Sequence, residues 1–213
     1  MRKFFNALFV LSLLVSSGSA LAGENAVVPA PSLPEPRTLS LDLKESRVRW
    51  VGKKVTGQHN GTILIRSGDV QTKGDTLTGG RFEIDMTTIV VEDLTNPKQN
   101  AKLTNHLKSD DFFAVAKYPT AVFQMKEVKP GSQGSYDVTG DLTVKGITNP
   151  VSFPVKVEIT GTKAKATGTA TIDRTKWDIR YGSGKFFKRL GDKLIYDDFE
   201  ITLDVAAVNP INR

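Results

Sequence analysis

Val151-Ser152-Phe153-Pro154-Val155-Lys156-Val157-Glu158-Ile159 places a large apolar residue at every second position without a break. Successive side chains of a strand point to opposite faces, so this spacing puts the five apolar residues on one face and Lys156 and Glu158 on the other. The same period recurs outward from here. Upstream, Tyr136, Val138, Leu142 and Val144 share one side of a strand, and Gly146 leads to a turn with Asn149-Pro150. Ala121, Phe123 and Met125 mark another strand, as do Phe82, Ile84 and Met86, and then Ile63 and Ile65. Residues 46–55 give the first strand, with Val48 and Trp50 on one side. Asn60-Gly61 offers a tight hairpin turn after it, because both residues tolerate positive φ. Downstream come Ala164, Ala166, Ala170 and Ile172, and then Phe199, Ile201, Leu203 and Val205. About eight strands follow, which predicts an all-β domain, either a barrel or a sandwich. The strand count favours the barrel, since eight strands close into a cylinder wide enough for side chains or one slim ligand.

One segment departs from this period. Asn96-Pro97 reads as an N-cap followed by proline at the first helical position, with Gln99 where a capping box wants it. Leu103, His106 and Leu107 then share a helical face, so one short α-helix, about 97–109, is expected between strands. Such a helix can plug one end of a barrel or line its mouth.

The chain opens on Met1-Arg2-Lys3, runs apolar from Phe4 to Val15 and reaches Ala20-Leu21-Ala22. This is the layout of a secretory signal peptide over 1–22, and its apolar run is too short to span a bilayer. Pro29, Pro31, Pro34 and Pro36 make 23–38 a proline-rich tether. The folded domain is expected over 39–208, with a tail at 209–213. Without Arg2 and Lys3 the chain has 27 basic and 23 acidic residues, a net +4. There is no cysteine, so packing alone must hold the fold. Export, most simply to a periplasm, removes nucleic acid as a partner despite the basic balance.

Residues able to do chemistry are few. His59 and His106 are the two histidines. Each reads as a polar contact to a ligand head group or as a locally satisfied side chain; no HxH or HExxH spacing supports a metal. Asp110-Asp111 and Asp197-Asp198 read more readily as turn residues than as paired catalytic acids. Gly182-Ser183-Gly184 reads as a flexible loop and not a nucleophile elbow. The segment Arg174–Lys193 is the most unusual, with seven basic and two acidic residues interleaved with Trp177, Tyr181, Phe186 and Phe187. A basic-aromatic loop suits an anionic head group or a membrane surface. Its bland alternative is a long solvated hairpin.

An ordered set of pieces resembles the YceI-like family of exported, lipocalin-like proteins over roughly 40–207. Trp50-Val51-Gly52-Lys53-Lys54 with Gly57-Gln58-His59-Asn60-Gly61 is similar to its first hairpin, and Gly79-Gly80-Arg81-Phe82-Glu83-Ile84-Asp85-Met86 to its third strand. His106-Leu107-Lys108-Ser109-Asp110-Asp111-Phe112-Phe113 and Tyr118-Pro119-Thr120-Ala121 carry the most specific signature. Gly140-Asp141-Leu142-Thr143-Val144-Lys145-Gly146 and Ile172-Asp173-Arg174-Thr175-Lys176-Trp177 also match. The resemblance implies an eight-stranded antiparallel lipocalin-like barrel with one short α-helix inserted between strands, and a long apolar tunnel. It implies a polyisoprenoid, quinone or fatty-acid derivative as ligand, and links to isoprenoid transport or storage and to stress responses. The Arg180–Asp198 region fits only a subset of that family.

Apolar burial is worth about 0.8 kcal/mol per CH₂ against water. A ligand already dissolved in a bilayer gains almost nothing more, so tunnel shape and polar contacts must select it. The expected ligand-binding set is therefore Trp50, Lys53, His59, Phe82, His106, Phe112, Phe113, Tyr118, Phe123, Arg174, Trp177, Arg180, Tyr181, Phe186 and Phe187. No catalytic residue, metal or cofactor is expected. The expected partners are a long-chain lipid and transiently a membrane surface, with a homodimer left open. The alternatives are an enzyme acting on a lipid through His59 and His106, or an envelope interaction module.

Overall fold

The computed structural model describes residues 34–210. Strands β1 (Pro36–Leu41), β2 (Arg47–Lys54), β3 (Gly57–Lys73) and β4 (Thr76–Val91) lead into helix α1 (Pro97–Lys108). Strands β5 (Thr120–Pro130), β6 (Ser135–Val144), β7 (Ile147–Thr160), β8 (Lys163–Asp173) and β9 (Ile195–Val208) follow. From β2 to β9 each strand pairs antiparallel with its successor, and β9 pairs back onto β2, which closes an eight-stranded barrel. The expected sandwich alternative is thereby excluded.

β1 is an extra strand that the period-two reading does not separate from the tether. It pairs with the far half of β3, Pro36 opposite Lys73 through Ser40 opposite Asp69, and its last residues meet the end of β9. β2 pairs with the near half of β3 and the start of β9. β1 and β2 therefore share one position in the barrel wall, interrupted at residues 42–46. There Ser46 Oγ donates to the Asp42 carbonyl at 2.7 Å and accepts from Ala206 N at 3.2 Å. Pro36, Arg37 and Thr38 are thus strand and not tether. The signal peptide, the rest of the tether to residue 33 and residues 211–213 lie outside the described residues.

Two turn assignments are corrected. Asn60 and Gly61 lie inside β3, opposite Val51 and Trp50, and the hairpin turns earlier, at Val55-Thr56. Gly61 is small for another reason: a Cβ there would collide with the Val90 carbonyl and press on the Trp50 ring. Likewise Asn149 and Pro150 are strand residues opposite Leu142 and Asp141. The turn is Lys145-Gly146, with φ of 53° and 73°, the positive pair that a two-residue hairpin needs.

α1 forms where the cap signal puts it. Asn96 accepts from Lys98 N at 3.0 Å and Gln99 N at 3.2 Å, satisfying two of the free amides of the first turn. Asn96→Ala is expected to cost about 1 kcal/mol, read from the urea midpoint of unfolding.

Antiparallel order sends alternate connections to opposite ends. One end carries the β3–β4, β5–β6 and β7–β8 turns, and Arg37 ties two of them by donating to the Gly74 and Gly161 carbonyls. The other end carries the Val55-Thr56 turn, the 92–119 connection with α1, the Lys145-Gly146 turn and the 174–194 connection. Lys145 Nζ reaches the Asp178 carbonyl at 3.0 Å, Val55 N the Leu194 carbonyl at 3.2 Å, and Phe112 of the 92–119 connection packs on Tyr181 with ring centres 5.6 Å apart, so these four connections form one rim.

Candidate functional site

Inward-facing residues of all eight barrel strands enclose a cavity of about 240 Å³. Val48 and Trp50 (β2), Ile63 and Ile65 (β3), Phe82 and Met86 (β4), Phe123 (β5), Leu142 (β6), Phe153 and Val155 (β7), and Ile201 and Leu203 (β9) all line it. β8 explains why the barrel is hollow. Four of its five inward positions are Ala164, Ala166, Gly168 and Ala170, short side chains facing space that Leu or Phe would fill, and Ile172 is the one large residue among them. At the rim end Leu107 of α1, then Phe112 and Phe113, close over the cavity, so the helix segment lines its mouth. Polar lining is limited to Thr167, Arg174 and Asp198 and the polar ends of Trp50 and Tyr196.

Six residues of the expected set line this cavity: Trp50, Phe82, Phe112, Phe113, Phe123 and Arg174. Phe123 meets Phe153 with ring centres 5.5 Å apart. Arg174 is 4% exposed. It donates to the carbonyls of Ile179 at 2.8 Å, Tyr196 at 3.1 Å and Ile195 at 3.1 Å, and faces Asp197 at 3.6 Å. Burial pushes its pKa down, and Asp197 and Asp173 push it back up. Its donors mostly serve the chain that carries the 174–194 connection, so Arg174 organises the rim while touching the cavity.

The remaining members lie outside the cavity lining. Lys53 pairs with Glu200 at 2.6 Å on the outer wall. His59 Nδ1 lies 2.7 Å from Asp93, which also accepts from Asn60 N at 2.9 Å. Burial, which raises the Asp93 pKa, is outweighed by the Asn60 and His59 contacts, and the carboxyl sits below its usual range. His106 Nε2 lies 3.0 Å from Asp111, and its ring packs edge-on to Phe112 and Tyr181 at 4.9 and 4.5 Å. The two histidines therefore bond different carboxylates and share no partner. Tyr118 covers Gly146 at the rim. Trp177 is core, its Nε1 donating to the Leu142 carbonyl at 3.0 Å. Arg180 pairs with Asp178 and lies over the Phe186 ring. Tyr181, Phe186 and Phe187 are exposed.

Gly182-Ser183-Gly184 is pinned, contrary to the flexible-loop reading. Ser183 is fully buried, its carbonyl accepts from Phe186 N and Phe187 N, and the Gly182 carbonyl accepts from Ile195 N. At Asp173 burial opposes the charge, but bonds from Lys185 and Thr175 outweigh it and hold the carboxyl below its usual range. Among the described residues no three His, Asp or Glu side chains gather as metal ligands would.

The residues missed by sequence reading are the aliphatic walls and the small side chains of β8. Their signal was the period-two alternation itself, read as core and not as site.

A family model described as the YceI-like domain matches residues 39–207. A UPF0312 protein of Pseudomonas putida strain GB-1 is 29% identical over 154 residues, 72% of this chain and 71% of that protein. A UPF0312 protein of Ectopseudomonas mendocina is 36% identical over 86 residues, which span 38% of this chain and 45% of that protein. Burkholderia cenocepacia BcnA superposes with a TM-score of 0.63 at 24% identity, covering 79% of this chain and 99% of that one. A polyisoprenoid-binding domain from Saccharophagus degradans, implicated in plant cell wall breakdown, superposes with a TM-score of 0.60 at 16% identity over 84% of this chain and all of that one. At such identities the two structures attest the barrel alone, but the family match runs from β1 to β9, and on it the chain belongs to the YceI-like family.

Proposed function

We propose that this chain is an exported, non-catalytic carrier or store for a long apolar amphiphile, such as a polyisoprenoid, an isoprenoid quinone or a fatty-acid derivative. The observation that carries the reading is the cavity: every barrel strand contributes apolar wall to one space, and β8 contributes alanine and glycine where bulk would close it. Apolar clefts with a few polar groups are the usual form of small-ligand sites. The polyisoprenoid-binding neighbour with the same barrel supports the ligand class. The basic start, short apolar run and Ala20-Leu21-Ala22 support export to a periplasm. Transport between membranes or a reserve during stress both fit such a carrier. Non-catalysis is supported by His59 and His106, which bond separate carboxylates off the cavity lining.

The experiment is mass spectrometry of lipids that co-purify with the protein from a Gram-negative host. One amphiphile bound per barrel is expected. Protein that is empty, and stays empty when offered polyisoprenols, quinones and fatty amides, sinks the reading.

A further inference from the structure

Ten large hydrophobic side chains are exposed among the described residues, and six of them stand at the rim end: Val55, Tyr118, Tyr181, Phe186 and Phe187 on its connections, and Ile147 as the first residue of β7. They come from segments far apart in sequence, and the antiparallel order alone brings them to one end. Their exposures run from 36% at Ile147 to 51% at Val55, so none is merely the edge of the core. Phe186 and Phe187 are held outward by their amide bonds to the buried Ser183.

Charge surrounds this apolar set. The 174–193 segment carries seven basic and two acidic residues. Of its two acids, Asp178 is already bound to Arg180. Lys188, Arg189 and Lys193 are exposed and stand in no ion pair. Arg189 holds a φ of 60°, which turns the chain between the exposed Lys188 and the half-buried Leu190.

We propose that this rim is a docking surface for an anionic lipid bilayer. Aromatic side chains seat their rings at the apolar boundary, and basic side chains between them meet lipid phosphates, each contributing roughly the same amount near an anionic surface. A second copy of the chain is the poorer occupant, because two such rims would bring like charges face to face. The cavity mouth argues for the bilayer as well: Leu107, Phe112 and Phe113 line the cavity, and Phe112 packs against Tyr181 of the rim. Docking would set the mouth against the source of its ligand. The inference rests on the carrier reading and deepens it, but its test needs no ligand.

The test is sedimentation of the purified protein with vesicles, one set of phosphatidylcholine alone and one containing phosphatidylglycerol. Binding to the anionic set alone, weakened by salt, is expected. Lys188→Gln, Arg189→Gln and Lys193→Gln together should weaken it on the order of 100-fold, about fivefold for each charge. Phe186→Ser with Phe187→Ser should weaken it by at least about tenfold. Phe187→Trp should show a blue-shifted emission on anionic vesicles. Equal binding to both vesicle types, no binding, or binding untouched by both sets of substitutions overturns the proposal. So does a dimer whose cross-links run through Phe186 and Phe187. A protein that carries lipid in the mass-spectrometric experiment but ignores vesicles refutes docking and leaves the carrier reading standing.

Discussion

Leucine at both Ala166 and Ala170 is expected to close the cavity to a long chain while leaving the barrel folded. Both residues line the space and lie on β8, where the wall is thinnest. The six added carbons would displace about four or five methylenes of a ligand, at about 0.8 kcal/mol each. Affinity from water then falls on the order of 100- to 1000-fold. The fold should tolerate the change, because the new atoms enter space and not packed neighbours; overpacking costs about 1–3 kcal/mol where no space exists. Leucine at the exposed Lys165 and Thr169, the alternate positions of the same strand, is the matched control and should leave binding intact. Displacement of a fluorescent fatty probe measures the affinity, and a urea midpoint measures the fold. Undiminished binding in the filled barrel would place the ligand elsewhere.

Arg174→Met should be the most destabilising single change at the rim. The carbonyls of Ile179, Ile195 and Tyr196 lose their donor, and Asp197, whose Oδ1 is buried with no hydrogen-bond partner, loses the more buried of its two cations and keeps only Lys185, at 3.6 Å from Oδ2. Breaking a buried pair from one side costs about 3–5 kcal/mol. Lysine should not rescue it, since one ammonium cannot serve three carbonyls in the fixed fork of a guanidinium. Adding Asp197→Leu should recover part of the loss, because it removes a mostly buried carboxylate left with the exposed Lys185 as its one cation. Denaturant unfolding of the two single variants and the double variant measures the coupling. A loss below about 1 kcal/mol for Arg174→Met would show that the carbonyls find other donors.

The barrel was legible because each strand has one wet face and one dry face, which stamps a period of two onto residues such as Val151 through Ile159. The helix was legible because Asn96 and Pro97 act locally. Where local chemistry is ambiguous, the reading slipped. Asn60-Gly61 has the composition of a turn, yet Gly61 exists to let β4 pass close by. β1 shows only Leu39 and Leu41 on its dry face and sits next to prolines, so composition masks it. The site was legible in part. Alternation says which residues face inward, but not whether they meet. That depends on volumes summed across strands, and it is alanine and glycine on β8, in a wall that elsewhere carries Phe, Ile, Leu and Val, that leaves space. Nor could the partners of His59 and His106 be read, because Asp93 reaches His59 only through the β3–β4 register and Tyr181 reaches His106 only through the closed fold.

The sorting of connections between the two ends of the barrel has a last consequence. Pro36 enters beside the β3–β4 turn, and Val208 leaves opposite Lys163 at the β7–β8 turn, so both approaches to the domain share the end with the short turns. The molecule is thus built like a socketed tool. One end is the fixture, where tags, fusions or surface attachment interfere least. The other is the working head, where the largely exposed stretch 184–193 is the part of the 174–194 connection that can be altered without touching the buried Arg174, Trp177 and Ser183. A graft there changes what the barrel meets, and a change on β8 changes what it holds.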